Sequence, residues 1–305
     1  MRIQIFFCNF AALNRLRMKI ALFGNSQKSQ IREEIDHLLE FFQSRGVEVL
    51  LSQELRQELN LTDYSSFDAE MAQCPVDSNP VDFALSVGGD GTFLTTASRL
   101  IMTNIPILGV NFGHLGFLAE VETKNVDSIL DQLIQGQYTI EQRALLHISC
   151  SEDGHLASTE ALNEVAIMKY GLSSAITIET RVNGEELNNY QADGLMLATP
   201  TGSTAYNMSV GGPIMVPQAR GIILTPIASH SLTVRPLVVP DDWKIDLTVK
   251  SRTGSYMVSV DGRSQIMADT VTLHIEKSPR TVKLVQIGDH SFIHSLKDKL
   301  LWGSN

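Results

Sequence analysis

Basic charge is scarce in this 305-residue chain, where 24 Lys and Arg stand against 34 Asp and Glu for a formal net charge of −10. Binding along nucleic acid or to an anionic membrane surface draws on a basic surface, so the balance argues against both. It leaves room for a local basic pocket around nucleotide phosphates. Cysteine is scarcer still: Cys8, Cys74 and Cys150 are far apart, odd in number and form no CxxC pair. A disulfide framework and a cysteine zinc site are therefore not expected, and reduced thiols in the cytoplasm fit best. No run reaches the ~18 apolar residues of a membrane span. Internal repeats, low-complexity tracts and flexible linkers are missing too. What remains is an ordinary globular composition, 43% hydrophobic and 19% charged, long enough for two domains or one large one with a sizeable core.

Residues 1–17 carry the apolar patch Ile5-Phe6-Phe7 and a basic end at Arg15 and Arg17. The charge lies on the wrong side for a secretory signal and the cleavage pattern is poor. The segment reads as a leader or a misassigned start outside the ordered fold, with Met18 as a plausible true start. From there the pattern is regular. Ile20–Phe23 reads as a strand. Ile31, Ile35, Leu38, Leu39 and Phe42 recur at helical spacing, Gly46 closes that helix, and Val47–Leu51 is the next strand. Residues 52–80 look polar and irregular. Strand 83–87, a helix over 93–100 and strand 107–110 complete a β-α-β-α-β series, which implies a parallel sheet with helices on both faces. Beyond about residue 121 a short helix at 124–135 gives way to β-rich segments: 145–150, 164–169, 175–182, 195–199, 232–239, 244–250, 256–260, 271–276 and 281–286. Turn signals such as Asp153-Gly154, Asn183-Gly184 and Asp261-Gly262 separate them. The expected division is an α/β nucleotide-binding domain at 18–122, a mostly antiparallel β domain at 123–287, and a C-terminal segment, 288–305, returning to the first domain.

The pentapeptide Gly88-Gly89-Asp90-Gly91-Thr92 lies between the apolar run Phe83–Val87 and the helical segment after it. Open α/β sheets bind their ligands at this kind of turn. Glycines there let the backbone approach a ligand, and a helix start favours phosphate. The acid is the odd part, because a carboxylate repels phosphate unless a metal or a reacting hydroxyl lies between them. That points to phosphoryl transfer to an alcohol. The plainer alternative is a tight turn with a capping Asp. Neither a Walker A loop nor Gly-x-Gly-x-x-Gly is present.

In the second region, Asn163-Glu164 offers a donor, an acceptor and a carboxylate that suit a ribose or a base edge, though such a pair also suits a surface turn or cap. Asp193-Gly194 opens a strand that runs into Thr199-Pro200-Thr201-Gly202-Ser203-Thr204-Ala205-Tyr206. This hydroxyl-rich loop can bond an adenine edge and stack its face. Ser203 or Thr204 also suits a helix N-cap, and both readings can hold. Gly211-Gly212-Pro213 reads as a structural bend. His114 and His230 lack a charge partner or metal spacing and stay open between ligand contact and structure.

Together these segments, with Asn111-Phe112-Gly113-His114-Leu115-Gly116-Phe117-Leu118, resemble the NAD kinase family, from about Lys19 to Gly303. The glycine turn alone is shared with diacylglycerol and sphingosine kinases and, more loosely, with phosphofructokinases; the other motifs are more selective. The resemblance implies an N-terminal Rossmann-like parallel α/β domain followed by an antiparallel β-sandwich-like domain, with the site between them. It implies transfer of the γ-phosphate of ATP to the 2′-hydroxyl of the adenosine ribose of NAD, giving NADP. Asp90 would be the acid at that hydroxyl, beside Gly91. Gly88, Gly89, Gly91 and Thr92 would meet the phosphates of ATP. Asn163 and Glu164 would hold the ribose. Thr204, Ala205, Tyr206, Asn207, Met208 and Ser209 would surround the adenine. Asp193 and Ala228 would lie at the nicotinamide end. Mg²⁺ or another divalent cation would be held mainly through the nucleotide, with no dedicated protein ligands. A homodimer or homotetramer is implied, and polyphosphate is a conceivable donor. The chain departs from the family pattern at Gln191, where many members carry a basic residue, and at Arg263, near which many carry Gln; here Gln265 is two further on. The competing readings are a lipid or sugar kinase sharing the glycine turn and a non-catalytic NAD(H) sensor.

Overall fold

The computed structural model describes residues 18–25, 31–68, 81–112, 116–119, 121–122, 126–151, 154–171, 175–288 and 291–302. The segment 1–17, Cys8, Cys74 and His114 lie outside the described residues.

The first half alternates: β1 (Lys19–Gly24), α1 (Ile31–Ser44), β2 (Glu48–Ser52), α2 (Gln53–Glu58), β3 (Ser65–Phe67), β4 (Phe83–Val87), α3 (Asp90–Leu100), β5 (Ile107–Asn111), β6 (Val121–Glu122) and α4 (Val126–Ile134). The second half is strand-rich: β7 (Thr139–Cys150), β8 (Glu160–Ala161), β9 (Glu164–Lys169), β10 (Ile176–Val182), β11 (Glu185–Ala192), β12 (Gly194–Ala198), the short α5 (Tyr206–Ser209), β13 (Ile222–Ile227), β14 (Leu237–Val239), β15 (Ile245–Lys250), β16 (Ser255–Val260), β17 (Arg263–Ala268) and β18 (Thr272–Gln286). The helix α6 (Phe292–Leu300) follows.

Strands β3, β2, β1, β4 and β5 lie side by side and parallel. Alternation along these strands buries both faces, as a parallel sheet requires. Ile20, Leu22, Phe83 and Leu85 face α1 and α4 in one apolar cluster. Ala21, Phe23 and Ala84 face α3 in another. The same sheet continues into the second half. β18 pairs parallel to β5 at Leu284 and Ile107, and antiparallel to β7 and β15. A separate sheet runs in the order β14-β13-β12-β9-β16-β17, and its Tyr256, Leu195 and Ile167 share one core with Ile178, Leu247 and Leu273 of the first sheet's antiparallel strands.

The stretch predicted to be irregular from residue 52 is structured over much of its described part. Ser52 caps α2 by accepting the Leu55 amide, and Leu55 is fully buried. Arg56 then ties the following turn through the carbonyls of Thr62 and Tyr64. Three strands of six or more residues lay hidden among the predicted turns. β11 is polar and largely exposed. β13 contains Pro226, a residue that normally demotes a strand; here it stands opposite Leu195 inside a ladder that otherwise runs unbroken. β17 completes the hairpin whose Asp261-Gly262 turn the sequence marks. The two strands expected over 271–286 are one, with its register against β7 shifting between Lys277 and Thr281. The strand expected over 232–239 shrinks to Leu237–Val239.

Candidate active site

The fully buried run β4 delivers the chain into Gly88, whose φ of +148° is closed to ordinary side chains. A Cβ there would meet Thr92 Oγ1 at 2.4 Å. Gly89 is the extended N-cap of α3, and Asp90 is its first residue. Gly91 differs from Gly88: no described atom lies within 4 Å of where its Cβ would be, and Gly89 has only Asn111 Nδ2, at 3.8 Å. Neither has a positive φ. Nothing described within the chain therefore requires glycine at 89 or 91, and among the described residues the space beside Gly91 is empty and that beside Gly89 holds only Asn111. Their amides start a helix, where anions are favoured.

Asp90 is half-buried, and its carboxylate is fixed from outside the turn. Oδ2 accepts the Phe117 amide at 2.8 Å, and Oδ1 accepts those of Leu118 and Ala119 at 3.0 and 3.2 Å. The approach is close enough that a Cβ on Gly116 would fall 1.8 Å from Oδ1. A carboxylate has about four acceptor sites, so Oδ2 keeps room for one more donor. α6 backs this loop: Phe292 lies against Phe117, with ring centroids 6.4 Å apart, and the Lys299 ammonium sits 3.9 Å from the same ring.

Asn163-Glu164 is held in the same manner by a different acid. Asp261 Oδ2 accepts the Leu162 amide at 2.7 Å, while Oδ1 accepts those of Asn163 and Glu164 at 2.8 and 3.0 Å. On the other side, the Asn163 carbonyl accepts the Thr199 amide, and the Thr199 hydroxyl donates to the Leu162 carbonyl. Asn163 is buried. Glu164 Oε2 is buried without a hydrogen-bond partner. Burial first, and then the charge of Asp261, push the Glu164 carboxyl up to about 7. Leu162 shares an apolar cluster with Phe93 of α3 and Leu118 of the Asp90 loop. The glycine-turn helix, the loop that holds Asp90 and the residue before Asn163 thus contribute to one apolar core.

The loop 199–209 stands against that turn: a Cβ on Gly202 would meet the Asn163 carbonyl oxygen at 2.1 Å. Its residues divide sharply. Thr204 and Asn207 are buried. The Asn207 amide donates to the carbonyls of Ser203 and Pro213, and its oxygen accepts the Thr225 hydroxyl. Those bonds commit the Asn207 side chain to bracing the loop. Tyr206 and Ser209 are exposed, with Ala205 and Met208 half-buried. Asp193 and Ala228 lie at the far end of the β9–β12 pair. Glu164 stands opposite Ala198, and Met168 opposite Gly194, so about 14 Å separate the two ends at ~3.4 Å per residue. Asp193 is paired there with Lys169 at 2.8 Å, and Ala228 is exposed with a φ of +47°. Within one chain these two are not brought to Asn163-Glu164. Gln191 and His230 are exposed, and the Gln191 carbonyl accepts the His230 amide. Gln265 is occupied between the Ala157 amide and the His155 carbonyl. The role of Asp261 escaped sequence reasoning: its Asp-Gly signal marks a hairpin turn, and nothing local shows that the carboxylate serves another strand. Among the described residues, no group of three or more His, Cys, Asp or Glu is placed to hold a metal ion, and no helix is long and apolar enough to cross a membrane.

Curated NAD kinases from Bacteroides fragilis and Flavobacterium johnsoniae are 41% and 38% identical to this chain over 300 and 295 residues. Each alignment covers 94% of this chain and 99% of the relative. This chain belongs to the NAD kinase family. Both halves of the family pattern are present: the ATP-NAD kinase N-terminal domain matches residues 20–138, and the ATP-NAD kinase C-terminal domain matches 162–287. Among solved NAD kinase structures, one from Archaeoglobus fulgidus in complex with ATP aligns with a TM-score of 0.73 at 26% identity, covering 93% of this chain and 99% of that one. The fold is also that of yeast NADH kinase complexed with NADH, with a TM-score of 0.83 at 24% identity over 95% of this chain and 89% of that one. The Asp90 and Gly91 positions fall in the first matched region; Asn163, Glu164, Asp261 and the hydroxyl-rich loop fall in the second.

Proposed function

We propose that the site transfers the γ-phosphate of ATP to the 2′-hydroxyl of the adenosine ribose of NAD, giving NADP. The observation that carries this reading is the space that the described residues leave at Gly89 and Gly91 beside a carboxylate fixed by three amides. Phosphate oxygens fit against bare backbone at a helix start, and a hydroxyl fits between them and the acid. Phosphoryl transfer passes through a loose transition state in most analyses, so position and charge neutralisation dominate its catalysis. Gly88–Thr92 would place the triphosphate. Asp90, through Oδ2, would orient the hydroxyl and take its proton. Asn163 and Glu164 would hold the ribose, with the orphan Glu164 oxygen as its natural acceptor. Thr204, Ala205, Tyr206, Met208 and Ser209 would enclose the adenine, and Asn207 would brace them. Asp193 and Ala228 would serve the nicotinamide end. A divalent cation such as Mg²⁺ would enter with the phosphates and neutralise their charge. Homo-oligomerisation belongs to the same reading and is supported by the edge strand β14, where Leu237 and Val238 are exposed, and by Leu232, 91% exposed nearby. The cysteine pattern supports a cytoplasmic setting.

A coupled assay of NADP formation tests the proposal, with ATP or polyphosphate as donor and NAD, NADH, a diacylglycerol or a hexose as acceptor. Phosphorylation confined to the nicotinamide nucleotides is the expected result. Phosphorylation of the lipid or sugar with NAD untouched contradicts it.

A further inference from the structure

We infer that Asp261 is a positioning residue for the acceptor nucleotide: it fixes the Leu162–Glu164 turn and sets the charge with which Glu164 meets the ribose. The inference rests on Glu164 being the ribose acceptor. Asp261 stands at the apex of the β16–β17 hairpin, with φ of +47° followed by Gly262 at +80°. A two-residue turn of this kind is served as well by Asn-Gly or Gly-Gly, so the turn alone does not call for a carboxylate. The carboxylate, 4% exposed, faces another strand. Its oxygens accept the amides of Leu162, Asn163 and Glu164, and its own amide donates to the Glu164 carbonyl at 3.1 Å. Four hydrogen bonds thus tie one residue to a three-residue turn.

The same placement puts two buried acids side by side. Glu164 Oε2 lacks a donor, and a buried acceptor left unpaired is costly. Burial first, and then the Asp261 charge, push the Glu164 carboxyl up to about 7; burial also pushes the Asp261 carboxyl up, against the three amides and Arg263, which favour its ionised form. The charged groups around the pair are few. Arg263, on the same hairpin, approaches Asp261 Oδ2 at 4.0 Å. β12 presents Ala198 opposite Glu164, and the turn after it brings uncharged Thr199–Gly202. Glu160, before the turn, is paired with His147 and Arg280. A ribose hydroxyl donating to Oε2 favours the ionised carboxyl, so acceptor binding and loss of this proton are linked.

Steady-state NADP formation between about pH 5 and 9 tests this in wild type, Glu164→Gln, Asp261→Asn and Asp261→Ser. In wild type, kcat/KM for NAD should fall below about pH 7, by up to about tenfold per pH unit, while kcat/KM for ATP shows no such inflection. Glu164→Gln should abolish the inflection. Both Asp261 variants should raise KM for NAD about tenfold or more, spare KM for ATP, and move the inflection to lower pH, because a neighbouring negative charge has gone. Variants that weaken NAD use by one factor at every pH, with the inflection unmoved, overturn the inference and leave Asp261 a clamp alone. Calorimetry of NAD binding to wild type at pH 6, in two buffers of different ionisation enthalpy, gives a check independent of the variants' folding: proton release supports the linkage, and none overturns it. Wild type that makes no NADP at any pH instead defeats the kinase reading, and this inference with it.

Discussion

Asp90 and Asp261 each gather three backbone amides from a distant segment, residues 117–119 and 162–164 respectively. The sequence exposes the first because an acid among glycines at a strand–helix junction has few other uses. It hides the partners of both, since a backbone amide carries no residue signature. Glu164 is legible only as half of an Asn-Glu pair; its burial and its unpaired oxygen come from the fold. Its carboxyl is held at about 7 against an ordinary 4.5. A carboxyl whose folded value is raised binds its proton more tightly in the native state, so stability falls as pH rises from about 4.5 to 7, and the full cost remains above that. That cost is on the order of 3 kcal/mol for an unliganded site. Glu164→Gln removes it. Denaturant midpoints of the unliganded proteins should show the variant more stable than wild type at about pH 8, with the gain shrinking toward about pH 5. An equal difference at both values would mean that Glu164 ionises freely in the native state.

At the scale of elements, the strand–turn–helix β4–α3 separates a glycine that shapes the chain from one that leaves room. Gly88→Ala forces a side chain into φ of +148° and against Thr92, at a cost of about 1–3 kcal/mol. Gly91→Ala meets no described atom and places alanine in a helix, which is neutral or stabilising by up to ~1 kcal/mol. Thermal melts should therefore fall for the first and hold or rise for the second. KM for ATP should rise about tenfold or more in Gly91→Ala; an unchanged KM with unchanged turnover would remove the phosphate cradle from the account. The helices and parallel strands were readable because Ile31, Ile35, Leu38 and Phe42, and the run Phe83–Val87, advertise their period. β11 and β13 were not: one is an exposed polar strand, and the other holds Pro226 in a ladder secured by its neighbours.

At the scale of the whole molecule, one long strand does what no local pattern announces. β18 pairs with β5, β7 and β15, so a single sheet runs from the parallel half into the antiparallel half. Phe93, Leu118 and Leu162, far apart in sequence, meet in one apolar cluster. That cluster ties the segments that carry Asp90 and Glu164 to one core. The motifs name the parts of the proposed site, and the sheet order shows which elements carry them. The account stands most directly on Asp90. Asp90→Asn keeps one oxygen for Leu118 and Ala119 but turns an amide toward the Phe117 N–H, so a loss of about 1–2 kcal/mol in stability is expected alongside any catalytic effect. The deciding measurement is NADP formation from NAD and ATP by the folded variant, with NAD binding followed by calorimetry on the same sample. The account predicts turnover lower by about 10²–10⁴-fold with NAD still bound; turnover equal to wild type would contradict it and leave Asp90 an anchor for the 116–119 loop.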